Sequence, residues 1–213
     1  MTNQGQLQKA LRRINRERTA LLGKADGLSR QQLEFQPSRS SWSIGQVLHH
    51  VGLVEQVQHG YMKELLEKGG KSRQATRKVG LDELPLGIQF IPDSVLRFPL
   101  VLAPVALMTN WIPQFIQSIM FSVPLVKTKA APILYPDNGI PHRELLKFLE
   151  EVRDSTLKIL EQVKDWDLSK FSWRHPLIGE KNIYGALELL AGHDQRHGIQ
   201  IDSIKKHRDF PKS

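Results

Sequence analysis

The sequence predicts an all-α protein, and three observations carry that reading. Four segments repeat their apolar residues with the 3.6-residue period of amphipathic helices. Strand-like alternation is scarce elsewhere, and recognisable start and stop signals bracket the segments. At 213 residues the chain suffices for one ordinary domain with a full core and is short for two, so residues 1–213 read as a single domain.

In the first segment, residues 6–25, Leu7, Leu11, Ile14, Leu21, Leu22 and Ala25 share one face, with Arg18 in the middle of it. The second opens on Ser43-Ile44-Gly45-Gln46, a capping box in which hydroxyl and amide each satisfy a free backbone N–H. Trp42 precedes it as a hydrophobic staple. This helix carries Val47, Val51, Val54, Tyr61 and Leu65 on one face and is expected to stop at Gly69-Gly70.

The third segment begins at Pro141, pre-set for a first helical turn, and spaces Leu145, Phe148, Leu149, Val152, Thr156, Ile159, Leu160 and Val163 for bundle packing. After an expected loop at residues 173–179, the fourth runs from about Asn182 to Lys206. The basic residues Lys205, Lys206, His207 and Arg208 suit its C-terminal dipole. Four such helices imply a four-helix bundle.

Residues 73–138, between the second and third helices, form a hydrophobic, Pro-rich insertion. Residues 98–126 carry no charge, and that run exceeds the roughly 20 residues of a membrane span. Pro99, Pro104, Pro113 and Pro124 would each break a spanning helix, and Asn110, Gln114 and Gln117 add polar groups that lipid cannot satisfy. A protein-covered crossover is therefore expected, with membrane contact through 98–126 as the alternative. A long crossover lets the second and third helices run parallel.

Composition narrows the function. Lys+Arg number 30 against 22 Asp+Glu, a formal net charge of +8, but the basic residues are scattered and no aromatics interleave with them, so no nucleic-acid partner is expected. There is no cysteine, so any metal must be held by His, Asp or Glu. The charged N-terminal stretch has no apolar signal region, and a cytoplasmic location is expected.

Three histidines stand out. His193 and His197, four apart on a helix, project from one face about 6 Å apart. At 100° per residue they share an arc of roughly 100° with Ala186, Leu190, Gln200, Ile201 and Ile204, so both face the core. In the His49-His50 pair, His50 lies within about 60° of the Val47/Val51/Val54/Tyr61 stripe and His49 lies on the opposite side. Burying an unpaired polar group costs about 1–3 kcal/mol, and a shared ion would supply partners. Three inward histidines can cap one face of a divalent ion and leave its other positions for water or substrate. The alternative makes His50 a core histidine on a backbone carbonyl, unrelated to the other pair.

Further residues carry two readings each. Asp194 is either a solvated helix-face carboxylate or a group that orients a ligand histidine. As the base of a zinc-protease helix it is one carbon too short and points about 100° away from His193. Arg18 either binds a carboxylate of the substrate or thiol bidentately, or snorkels or pairs with a glutamate. Tyr61 is a core residue or a proton donor. Trp111 and Phe115 cover the site or seal the crossover.

Trp42-Ser43-Ile44-Gly45-Gln46-Val47-Leu48-His49-His50 resembles the helix-opening motif of DinB/YfiT-like proteins, whose histidine follows the tryptophan by eight residues. His175-Pro176-Leu177-Ile178-Gly179, followed by His193-Asp194-Gln195-Arg196-His197-Gly198-Ile199-Gln200-Ile201, resembles that family's closing segment. The resemblance covers the four helices but not residues 73–138. It implies an up-down-down-up bundle that binds nickel, zinc, iron or a similar ion through His50, His193 and His197. It also implies a homodimer. Family members with known activity include thiol-dependent transferases and an isomerase, while others have no assigned reaction.

These readings converge on a metal-dependent transferase or hydrolase that activates a low-molecular-weight thiol, or water, against a small electrophile. With no cysteine in the chain, the thiol would arrive as cosubstrate. The alternatives are a non-catalytic metal-binding or stress-response module and a peripheral membrane protein.

Overall fold

The computed structural model describes residues 2–70, 72–78, 86–87, 129–130, 132–175 and 179–212. Among them the protein is mostly helical, with four long helices, one short helix and two small sheets. Expectations for residues 98–126, including Trp111 and Phe115, and for residues 176–178, lie outside this set.

Helix α1 spans Asn3–Gly23, and Thr2 caps it by accepting from the Gly5 N–H. Helix α2, Arg30–Glu34, was not expected. Its signal was nonetheless present, because Ser29 and Gln32 form a complete capping box. Helix α3, Ile44–Gly69, starts as its sequence requires: the Ser43 hydroxyl accepts from the Gln46 N–H at 3.2 Å, and the Gln46 side chain accepts from the Ser43 N–H at 3.0 Å. Helix α4, His142–Gln162, takes Pro141 as its cap residue rather than its first helical residue. Asn182 caps α5, Ile183–Lys205, by accepting from the Gly185 N–H.

Helix α3 stops at the expected glycine pair, but not through a left-handed cap. Gly70 is right-handed, with φ −51. What Gly69 supplies is room, since a Cβ there would stand 2.5 Å from the Phe171 ring and 2.8 Å from the Gln74 carbonyl.

That close approach seats a sheet the sequence did not reveal. Strand β1, Ala75–Lys78, pairs in parallel with β4, Phe171–His175, which pairs antiparallel with β5, Gly179–Asn182. The expected loop around Trp173 is thus part of a hairpin. Strands of four or five residues, with Phe171 and Trp173 buried, show too few alternations to register as a period. Within the insertion, β2, Leu86–Gly87, pairs antiparallel with β3, Lys129–Ala130, and a 3₁₀ turn covers Pro132–Leu134.

Two apolar clusters fill the core. One gathers Leu7 and Ile14 of α1, Met62 and Leu65 of α3, Leu160 of α4, Leu187 and Leu190 of α5, and the sheet residues Phe171 and Trp173. The other gathers Leu21, Val47, Val51, Leu145, Leu149, Ile201 and Ile204. Along each long helix a charged residue falls between the two sets: Arg18 on α1, Glu55 on α3, Arg153 on α4 and Asp194 on α5. Ion pairs Arg13–Glu188, Arg18–Asp194 and Lys24–Asp202 advance together along α1 and α5. No described helix is long and apolar enough to cross a membrane.

Candidate metal centre

Each histidine reaches the centre for a local reason. His50 follows the Ser43 cap by two turns, on the face that also buries Val47 and Val51. His193, half-buried, and His197, buried, sit one turn apart on α5. The three rings meet as their helical phase requires. His193 Nε2 stands 3.3 Å from His50 Nε2 and 3.1 Å from His197 Nε2. One nitrogen of each ring lies within 4.8 Å of the others, so the three could hold a metal ion.

Hydrogen bonding fixes which nitrogens are free. His50 Nδ1 is 2.8 Å from the Leu134 carbonyl, which can only accept, so that nitrogen carries the proton. His197 Nδ1 donates in the same way to Gln200 Oε1 at 2.7 Å. The Nε2 lone pairs of His50 and His197 therefore both aim at His193 Nε2. A neutral His193 has one proton and can satisfy at most one of them. A cation would satisfy all three. Ligands about 2.0–2.1 Å from one ion, 90–109° apart, stand about 2.8–3.4 Å from each other, and the observed spacings fall in that range. The residues present fit the ion on distance, tautomer and donor chemistry.

Burial keeps the rings in the neutral, ligating form. It pushes His50 down to about 4, against the stabilising Leu134 carbonyl and with the help of the charges on His49 and Arg196. It pushes His197 to about 3, with His50 adding to the effect and Gln200 opposing it. His193 is driven well below its usual value by burial and by the neighbouring His197 and His50. Trp42 packs its indole on this group, 4.7 Å from the His50 ring and 6.5 Å from that of His197, and Tyr135 meets Trp42 edge-on.

The tail of the insertion completes the site. The Leu134 carbonyl holds His50, and three residues later the Asp137 N–H donates to His49 Nδ1 at 2.9 Å. His49 does lie away from His50's face, but it is buried against Phe148 rather than turned outward.

Two other expectations change. Asp194 is buried at 1% exposure, so it is neither a solvated carboxylate nor bonded to a histidine among the described residues. Arg18 Nε donates to Asp194 Oδ2 at 2.9 Å, and Arg18 Nη2 donates to Glu55 Oε2 at 2.7 Å. The pairing of Arg18 with a glutamate is therefore what the structure contains. Arg153 closes the set, donating through Nε and Nη2 to both Glu55 oxygens at 2.7 and 3.1 Å, and through Nη1 to Asn15. Burial works against the charge on Arg18, but Asp194 and Glu55 outweigh it and hold its pKa above the usual value. Tyr61 packs beside Trp173 under Arg77, eleven residues and about 16 Å along α3 from His50.

Glu55, Arg153 and Gln200 were not assigned roles from sequence. Gln200 had a signal, since it shares the inward arc of His193 and His197. Glu55 and Arg153 had one too, as charges on otherwise apolar helix faces.

The sequence pattern of the DinB superfamily matches residues 13–201, from within α1 to within α5. The chain belongs to the DinB superfamily. No curated protein and no solved structure matches it. The match places all three histidines of this DinB-superfamily protein, and the charged residues beneath them, inside the family's own span.

Proposed function

We propose that this DinB-superfamily protein is a metal-dependent enzyme that holds a divalent ion on His50, His193 and His197 and activates a small thiol, or water, against a small electrophile. The observation that carries the reading is the convergence of three Nε2 atoms whose outer nitrogens, on His50 and His197, are locked by acceptors. A bound divalent ion supplies Lewis acidity, favouring the deprotonated form of a thiol or water beside it. The chain's own residues do the rest. Leu134 and Gln200 orient two rings and fix their tautomers. Trp42 shields them from water on one side, and the half-exposed Tyr135 extends that wall outward. Having no cysteine, the protein takes its thiol from solution.

The same reading takes the helices as an up-down-down-up bundle. Pairs that advance together along α1 and α5 support it, as do Gly52 against Phe148 and Glu55 against Arg153 along α3 and α4. The test is metal analysis of the purified protein beside His50→Ala and His193→Ala, followed by a panel of thiols with an electrophile. One ion per chain, lost in both variants, with thiol consumption that requires the ion, is the expected outcome. Metal content indifferent to both substitutions would remove the site, and binding without turnover would leave a metal-binding module.

A further inference from the structure

The three ligands come from two helices, and one guanidinium ties those helices together. Arg18 donates to Glu55 of α3 and to Asp194 of α5. Asp194 lies one residue after His193 and three before His197, and Glu55 lies five residues after His50, about 7.5 Å along α3. The tie thus sits within two helical turns of every ligand. It is also the tight one. Arg153 grips Glu55 bidentately but approaches Asp194 only to 3.6 Å, so it holds α3 to α4 far better than α3 to α5. Arg18 spends its Nε and Nη2 on these two carboxylates, and its Nη1, though buried, has no acceptor among the described residues.

We propose that Arg18 is a positioning residue of the histidine centre: its fork, closed on Glu55 and Asp194, sets the axial register of α3 against α5 and thereby the spacing of His50 from His193 and His197. The inference rests on the metal reading above. It follows from how the ligands are held. The His50 ring is held by the Leu134 carbonyl from the 3₁₀ turn that packs on α3, and the His197 ring by Gln200 from α5 itself. With both rings held against turning, a slip of α3 past α5 passes directly into the 3.3 Å separation of His50 from His193. Lysine would substitute only in part, because its ammonium keeps the charge but is a point without two donor edges at a fixed angle.

The experiment compares cobalt(II) binding, by competition with a chelating dye and by the absorption spectrum of the bound ion, in three full-length proteins. These are the wild type, Arg18→Lys, and the charge-balanced double variant Arg18→Gln with Glu55→Gln. Circular dichroism and thermal melting establish folding. For the double variant we expect cobalt affinity about 10–100-fold weaker, as for other residues that orient ligands, with an altered spectrum; Arg18→Lys should show a smaller loss of the same kind. A purely structural arginine would lower the melting temperature and leave both readouts of the folded protein at wild-type values, and that result overturns the proposal. If the double variant does not fold, Arg18→Lys decides alone, with wild-type affinity and spectrum again overturning it. Wild-type protein that binds no cobalt through His50 would sink the metal reading and this inference together, which is distinguishable from failure of the inference alone.

Discussion

Two buried polar groups lie side by side in one core and differ in how complete they are. The charged group draws one residue from each long helix, Arg18, Glu55, Arg153 and Asp194, and balances two positive against two negative side chains with hydrogen bonds of 2.7–3.1 Å along most of its edges. The histidine group is neutral and aims three nitrogens at one another. Its outward contacts are satisfied at His50 and His197, while His193 Nδ1 has no partner among the described residues. A self-balanced group specifies how helices meet. A group of converging lone pairs specifies what ion they can receive.

If that contrast is right, removing a member should cost fold stability in one group and ion affinity in the other. The largest effect is expected from Glu55→Ala. It strands two buried guanidinium groups beside a single aspartate and should cost about 3–5 kcal/mol, measured by urea denaturation of metal-free protein. His50→Ala or His193→Ala should instead weaken ion binding by more than the 10–100-fold typical of outer partners, while metal-free stability moves by only about 1–2 kcal/mol. Calorimetric titration with zinc separates the two behaviours, and equal stability losses in both groups would erase the distinction.

Acidification tests whether the histidine group is held neutral. Burial lowers His50 to about 4 and His197 to about 3, against about 6.5 in an unfolded chain. Between those values the unfolded chain binds more protons than the folded one. Metal-free stability is therefore complete above about pH 6.5 and falls as the pH drops toward 4 and then 3, by about 2 kcal/mol per histidine at pH 5. Denaturation midpoints that stay flat from pH 7.5 to 5 would show that the rings are not held neutral.

Gln200→Leu is a finer cut. It removes the acceptor of the His197 Nδ1 proton and leaves the ring in place, so zinc affinity should fall about 10–100-fold with little change in the melting temperature. The smallest effect belongs to a charge pair outside both groups. Lys147 and Glu151 sit 3.7 Å apart on the exposed face of α4, and replacing either by alanine should shift stability by no more than about 0.5 kcal/mol.

Much of this architecture is legible before folding, for reasons that differ by residue. The Ser43–Gln46 box and the Asn182 cap act within one turn, so sequence alone places the starts of α3 and α5. Helical phase is equally local, which is why His50 separates from His49 and why His193 and His197 face inward together. Arg18 could be seen to violate its apolar face, but not to have Asp194 as its partner, 176 residues away. The same holds for Leu134. A backbone carbonyl has no side-chain signature, and this one reaches His50 across 84 residues of sequence.

The sequence by itself determined the four long helices, their inward faces and the three histidines those faces carry, because each follows from periodicity and from bonds closed within a few residues. Only the tertiary structure decided which buried charges cancel, which acceptors fix the histidine tautomers, and that a short sheet closes one end of the core. Those outcomes depend on groups from distant parts of the chain meeting at about 3 Å, where a hydrogen bond either forms or leaves a buried atom unpaired.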